Sequence, residues 1–578
     1  MSTAATSVAF TIWGAIGIAT IARWRNLTTS KSWRRVLLFA AAAFSLAHQL
    51  IFATVMEDSY ITFRYSLNLA SGNGPVFNIG EHVEGYSNFL WMLLCAIPQT
   101  LFDHGIVAFA TVLGACLAVA CVPVAYSLTN KLVNAARPEK TDGPGVIAAV
   151  LVAGATGLSA YGPSGLETPL FVFLTLVMCH AMAAQRFAAA GVLAALLTMT
   201  RPDGLVIAGV AGIWLLVSRA RKLLPLHHFL TYATTALIFF IPWTAWRLWY
   251  YGGHLLPNAA AAKTGYSLVW QLRTGWDYFL DFSLANVLLV IVAVFGAATL
   301  AARPAAPPDL DPSIRYGRAV PSLIYTLALC YGAFVVYAGG DWMPAWRFLA
   351  LVPPLLAVAT SATIGIYSGT RATPGARFTV PRSTGRWLPI TALVISGWSL
   401  VVSVTDPQTL HFMHVQRDEA RDRGEVGSWI GARLPEGTVV STMGNGAFSY
   451  RAGPKLVVVD ALGLTDEHIA RSGSRTAAPG FAAVSSDWDY VVDVRRPALI
   501  RLEGYFYEDK QPCRPPSPAP PWFPFGNPSF LSEYEIATFQ KAGSGQWVAV
   551  YLRRGDAPQL VSLLDADPRF VYVPCPAT

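Results

Sequence analysis

Charged side chains are scarce in this 578-residue sequence: Asp, Glu, Lys and Arg make up 13%, where soluble domains carry about a quarter. That shortage excludes an ordinary water-soluble globule, and an apolar share of 54% replaces the missing charge. Cysteine is also sparse. Seven are present, without a CxxC pair or zinc-like spacing, which excludes a zinc module or a dithiol redox motif. Cys95, Cys116, Cys121, Cys179 and Cys330 fall in apolar stretches and read as small core residues. Cys513 and Cys575 lie in polar sequence. In an exported domain a disulfide between them would close a loop of about 60 residues and contribute roughly 4 kcal/mol. No repeat of fixed period is visible. The formal charge of +8 is no nucleic-acid footprint, because most Lys and Arg lie in short loops between apolar runs. That is the positive-inside pattern, so a lipid bilayer is expected as partner and nucleic acid is not. The first apolar run, Val8 to Ala22, lacks a charged leader and a cleavage site and reads as a retained helix.

What the sequence has in quantity is apolar runs of membrane-helix character, with 18 Trp and 22 Tyr to sit at two membrane interfaces. Spans are predicted over 8–23, 36–55, 106–129, 146–161, 169–184, 187–200, 204–219, 229–247, 284–302, 320–338, 349–367 and 387–404. The run 88–102, bounded by Pro98 and Asp103, is shorter and reads as re-entrant or interfacial. Four loops are basic: Arg23 to Arg35, Lys131 to Lys140, Arg219 to Lys222 and Arg371 to Arg386. Placing all four in the cytoplasm requires an even number of crossings between them. About twelve spans satisfy this, and a full span at 88–102 would break it. The loops 56–105, 162–168, 201–203, 248–283 and 339–348 are then outside, with everything after residue 404.

The expected fold is therefore a mainly α polytopic membrane domain over 1–404, followed by an extracytoplasmic α/β domain over 405–578. In the latter, Asp418 to Leu434 has helical periodicity, while Thr438 to Thr442, Leu456 to Val459 and Tyr490 to Val492 read as strands. The Pro- and aromatic-rich stretch Gln511 to Pro528 reads as a long ordered loop or lid.

The outer loops carry residues that bare connectors do not need. The first begins with Glu57-Asp58, continues through Arg64, Tyr65 and Asn68, and reaches Glu84-Gly85-Tyr86-Ser87-Asn88. Adjacent carboxylates where a helix leaves the membrane are costly unless solvated, paired or used. A like-charged neighbour raises one of the two pKa values, as a general base requires. The alternative is that both acids mark a helix end in water. Arg64 has the rigid fork that suits a phosphate, or it snorkels to headgroups. Then come Glu167, the Arg201-Pro202-Asp203-Gly204 interruption, the Gly252-Gly253-His254 turn with Asn258 and Lys263, and Gly339-Gly340-Asp341-Trp342 with Arg347. Arg201 and Asp203 either serve a site or only pair with each other. Five such segments on one face predict a shared site.

The string EDSYITFRYSLNLASGNGPVFNIGEHVEGYSNFLW, with GLETPLF, RPDGL, YYGGHLLPNAAAAKTG, GGDWMPAWRF and VVVDALGLTDEHIAR, resembles GT-C-type glycosyltransferases. Within that type it resembles the actinobacterial terminal β-(1→2)-arabinofuranosyltransferases of cell-wall arabinan, over about residues 40–470. The resemblance implies a polyprenyl-monophosphate sugar donor, a cell-envelope glycan acceptor and a C-terminal periplasmic α/β domain. Such enzymes commonly show two aspartates where this chain has Glu57-Asp58, which puts the weight on Asp58. On this resemblance Asp58, with Glu57 in support, is the catalytic carboxylate. It acts as a base in an inverting transfer or as a nucleophile in a retaining one. Arg64, Tyr65, Glu84, Asn88, His254, Asn258, Lys263, Asp341, Trp342 and Arg347 are candidates for the donor sugar and phosphate. Glu167, Arg201 and Asp203 would complete the pocket, and Asn445, Tyr450 and Asp460 would meet the acceptor. A monophosphate leaving group needs no metal where such cations are present, the alternative being a divalent ion on Asp58 and Glu57. Competing readings are transfer of mannose, galactofuranose or another sugar, a flippase or exporter of lipid-linked sugar, and a ligase or polymerase using a diphosphate donor. The flippase predicts inverted repeats and midplane charges, and the ligase more basic outer loops.

Overall fold

The computed structural model describes residues 3–23, 30–137, 141–263, 267–303, 309–368, 384–476, 484–502, 508–515 and 523–576. It is mostly helical, and the chain divides into two compact units. The first comprises 1–53, 110–244 and 266–412; the second comprises 54–109, 245–265 and 413–578.

Seven helices among the described residues are long and apolar enough to cross a membrane: Thr3–Ala22, Lys31–Phe52, Ile106–Ala136, Leu226–Tyr250, Pro312–Tyr337, Arg347–Tyr367 and Trp387–Thr405. An eighth crossing is added if Leu268–Ala285 and Val287–Ala301, bent by 93° at their junction, form one span. This is a multi-pass membrane protein, but the twelve expected full spans are not all there. The runs at 146–161, 169–184, 187–200 and 204–219 give shorter helices. The first breaks into Gly143–Ala153 and Thr156–Tyr161; the others are Thr168–Ala183, Phe187–Thr200 and Gly204–Ala220. The helix Leu268–Ala285 was not expected, since Asp277, Asp281 and Arg273 interrupt its apolar pattern. Local chemistry accounts for several helix starts. Ser30 accepts from Trp33 N, and Asp311 accepts from Ser313 N ahead of Pro312. The helix pair around 200–204 is broken by Pro202, and Gly204 follows because a Cβ there would collide with the Leu197 carbonyl. Of the four basic loops, residues 24–29, 138–140 and 369–383 lie outside the described residues.

The second unit is built on a six-stranded sheet of order β2-β1-β5-β7-β6-β8. Its strands are β1 Val439–Thr442, β2 Val457–Asp460, β5 Leu499–Arg501, β6 Tyr534–Lys541, β7 Trp547–Arg553 and β8 Phe570–Tyr572; β3 Ser474–Thr476 and β4 Val484–Ser486 pair separately. The strands β2, β1 and β5 run parallel and the rest antiparallel. Trp429, on the long helix Pro407–Arg433, anchors the core against Phe539 and Phe570, with ring centroids 4.8 and 4.3 Å away. Two of the three expected strands form. Tyr490 to Val492 instead belongs to a helical turn, Tyr490–Arg495, because the Asp487 carboxylate accepts from Tyr490 N and its carbonyl from Val491 N.

The compact units do not follow the expected boundary at 404/405. Asn78 donates to the Val458 carbonyl and accepts from Val458 N, binding the first loop to β2 as an extra strand partner would. Tyr65, Phe77, Tyr86 and Tyr251 share one apolar core with Trp429 and the sheet. The helices Ser59–Ala70 and Phe89–Phe102 belong to this unit too. The second is a 14-residue helix containing Pro98, too short for a full span, as expected. Cys513 and Cys575 are joined by a disulfide across 62 residues.

Candidate functional site

The acidic pair lies in the second unit, at the carboxyl edge of the parallel strands, where open α/β sheets place their ligands. Met56-Glu57-Asp58 leads into the Ser59–Ala70 helix through a turn. Glu57 is buried. Its Oε1 accepts from Gly446 N at 2.8 Å and Ala447 N at 3.1 Å, in the segment after β1, and lies 3.1 Å from Arg423 Nη1. Gly446 is required here because a Cβ would collide with the Glu57 carbonyl. Asp58 differs. It occupies the position before the helix, stays half-buried, and its side chain does not cap the helix. Glu57 is thus locked by the segment after β1 and by Arg423. Arg423, which holds Glu57, lies 366 positions after it in the chain and carries no local signal of that role.

Around the pair, the structure gathers the three residues expected at the acceptor. Asn445 Nδ2 donates to Thr465 Oγ1 at 2.8 Å, tying the loop after β1 to the loop after β2. Tyr450 packs against Tyr60 and Phe63, with centroids 5.6 and 6.1 Å away. Asp460 is buried and accepts from Leu462 N at 3.0 Å and Thr465 N at 2.9 Å. Burial pushes its pKa up to about 7, against the pull of those two N–H groups. A carboxyl raised in the folded state stabilises fully below its unfolded value near 3.8, and that contribution is lost as pH rises through about 7. Thermal stability is therefore expected to fall between pH 4 and pH 8, and Asp460→Asn should flatten the slope; an unchanged slope would place the titration elsewhere.

Arg64 corrects the expectation of a phosphate ligand. Its guanidinium is fully buried and donates to the carbonyls of Phe77, Ser449, Gly453 and Leu456 and to Asn78 Oδ1. Five donors meet five acceptors, so Arg64 staples the first loop to the sheet domain. Tyr65 is likewise structural: its hydroxyl donates to Val83 O and accepts from Gly85 N. Asn88 accepts from Thr62 Oγ1 at 3.1 Å. Glu84 is paired with Arg247 Nε at 2.6 and 2.8 Å, and burial pushes its pKa up to about 7 although Arg247 pulls it down. Arg247, at the end of an apolar run, was missed. It also donates to the carbonyls of His254 and Leu255, so it shapes the Gly252-Gly253 turn. His254 Nε2 lies 2.5 Å from Glu467, and Asn258 Nδ2 donates to the carbonyls of Gly463 and Asp466. Lys263 is exposed at the end of the short helix Asn258–Ala262.

In the first unit the remaining candidates form one buried ionic cluster. Arg201 binds Asp203 through two bonds of 2.9 and 2.8 Å and lies 3.7 Å from Glu167; Tyr331 donates to Asp203 at 2.7 Å. Arg347 binds Asp341 at 2.7 and 3.0 Å. Both guanidiniums lie over the Phe348 ring, at 4.7 and 5.0 Å. The structure therefore brings Glu167, Arg201, Asp203, Asp341 and Arg347 together. Trp342 packs on Phe412, with centroids 5.4 Å apart. Among the described residues, no group of three or more His, Cys, Asp or Glu could hold a metal ion. Glu57 already faces the Arg423 guanidinium.

These units define a mostly helical, multi-pass membrane protein with a sheet-containing C-terminal part. Its fold is shared with ArnT from Cupriavidus metallidurans bound to undecaprenyl phosphate, at 13% identity and a TM-score of 0.53, covering 90% of this chain and 98% of that one. The apo structure of the same protein matches with a TM-score of 0.54. In sequence, the chain is similar to terminal β-(1→2)-arabinofuranosyltransferases. The Corynebacterium glutamicum protein is 27% identical over 54% of this chain and 48% of its own length. The Mycobacterium tuberculosis protein is 30% identical over 60% and 58%. The chain thus spans about half the length of the curated relatives it matches. Residues 410–551 match a family described as a domain of unknown function, DUF8728.

Proposed function

We infer that the protein is a membrane glycosyltransferase that moves a sugar, arabinofuranose on the similarity to its relatives, from a polyprenyl monophosphate to a cell-envelope glycan on the extracytoplasmic face. The observation that supports the reading is the acidic pair leading into the Ser59–Ala70 helix beside the segment after β1. Glu57 is locked by Arg423 and two backbone N–H groups, while Asp58 is half-exposed beside it. Asp58 accepts the proton of the acceptor hydroxyl as that oxygen bonds to the anomeric carbon. The bond from that carbon to the phosphate oxygen breaks, and the electron pair leaves with polyprenyl phosphate.

The test is a cell-free assay of the purified full-length protein with a panel of polyprenyl-phosphate sugars and short arabinan acceptors. Release of polyprenyl phosphate and a new glycosidic linkage by NMR is the expected result, and the anomeric signal decides between inversion and retention. Turnover with none of the donors would overturn the reading; turnover with a hexose donor alone would change the sugar.

A further inference from the structure

A cleft of about 480 Å³ opens in the second unit, lined by the 81–83 segment, the residues Asp466 to Ser472 and the Tyr490–Arg495 turn. None of the residues assigned above to the transfer step lines it. Its walls are polar and already ordered. Arg495 lies 2.6 Å from Glu81 and 3.6 Å from Asp466, and Arg471 lies 3.8 Å from Glu467. His468 stacks on Tyr490, with centroids 4.0 Å apart and planes 23° apart.

The composition of the walls selects the ligand. Three carboxylates face two guanidiniums, so the cleft has no excess positive charge for a phosphate, and its acids are engaged by arginines rather than arranged around a cation. Ion pairs hold the planar groups in place before anything binds, which lowers the ordering cost of binding. Paired carboxylate and guanidinium edges offer acceptors and donors at the spacing of vicinal hydroxyls, and the ring stack offers an apolar face for the C–H side of a sugar. The volume lies within the range of about 300–1,000 Å³ found for small-molecule sites. We propose that this cleft is a binding subsite for an uncharged saccharide segment of the acceptor glycan, with Glu81, Glu467 and Arg495 as hydrogen-bonding groups and Tyr490 as the stacking platform. The identity of the ligand rests on the transferase reading; the existence of a saccharide site does not.

Full-length protein carrying Asp58→Asn, in detergent, is titrated with an arabinofuranosyl oligosaccharide, a malto-oligosaccharide and inorganic phosphate, and followed by saturation-transfer NMR and calorimetry. The arabinofuranosyl probe is expected to bind. Both Tyr490→Ala and the isosteric Glu81→Gln, checked for an unchanged melting temperature, should weaken that binding about tenfold, a loss of roughly 1.4 kcal/mol. Phosphate should not compete. Equal affinity in both variants, or displacement of the sugar by phosphate, overturns the proposal. Preference for the malto-oligosaccharide overturns the assignment to the acceptor. The two ideas fail separately. Transfer with normal acceptor affinity in Tyr490→Ala sinks the cleft and leaves the transferase. Saccharide binding lost in the cleft variants, with no turnover of any donor by the unaltered protein, sinks the transferase and leaves the cleft.

Discussion

Exchanging Asp58 for Asn is expected to lower sugar transfer by about 10²- to 10⁴-fold, the usual worth of a positioned proton acceptor, while the protein stays folded. The amide keeps the size of the side chain and removes its basicity. Asp58 is half-buried and its side chain does not cap the helix that follows, so the exchange costs no helix cap. Glu57→Gln is the informative contrast. That change removes the charge facing Arg423 and weakens acceptance from Gly446 N and Ala447 N. Breaking a buried pair from one side costs about 3–5 kcal/mol because the partner charge is stranded. The two variants therefore separate on paired measurements of melting temperature and initial rate. Asp58→Asn should keep the first and lose the second; Glu57→Gln should lose both. Near-normal turnover by Asp58→Asn would remove Asp58 from the mechanism.

Elements with a strong periodic signal were legible in the sequence. The seven long apolar helices lie where apolar runs predict them, as do β1 and β2, whose β-branched residues are bounded by turns. Helix ends and breaks were less so. The division of 146–161 into two helices depends on packing, and Leu268–Ala285 is helical despite charges that hide its apolar face. Tyr490 to Val492 has strand composition, yet an Asp three residues earlier supplies a better local partner than a neighbouring strand. The site divides in the same way. Carboxylates, glycine pairs and broken spans singled out Glu167, Arg201, Asp203, Asp341 and Arg347, which the structure brings into one cluster. The lock on Glu57 was not legible, because it consists of Arg423 and the N–H groups after β1, distant in sequence. The association of the first loop with the C-terminal sheet was hidden for the same reason. It runs through the Asn78–Val458 bonds and a buried aromatic core, and neither leaves a spacing that a single sequence displays.

Arg64→Ala tests that association most severely, and it is expected to destabilise the second unit by on the order of 4 kcal/mol or more. The side chain supplies donors to four backbone carbonyls, three of them from the C-terminal part of the chain. Alanine leaves those carbonyls buried without that partner, each at a cost of about 1–3 kcal/mol, partly relieved if water enters. Lysine does not rescue the position. It keeps the charge but brings three donors instead of five, and it cannot reach acceptors spread around a planar fork. Both variants should therefore melt earlier than the parent and expose the segment 54–109 to protease, with Lys only marginally better than Ala. A ligand for donor phosphate would behave differently: Arg64→Lys would retain much of the affinity, and the melting temperature would hardly move. Normal stability of Arg64→Ala together with a selective loss of donor use would restore Arg64 to the reacting site. An early melt with intact donor affinity in the surviving folded fraction would fix it as the staple between the first loop and the sheet.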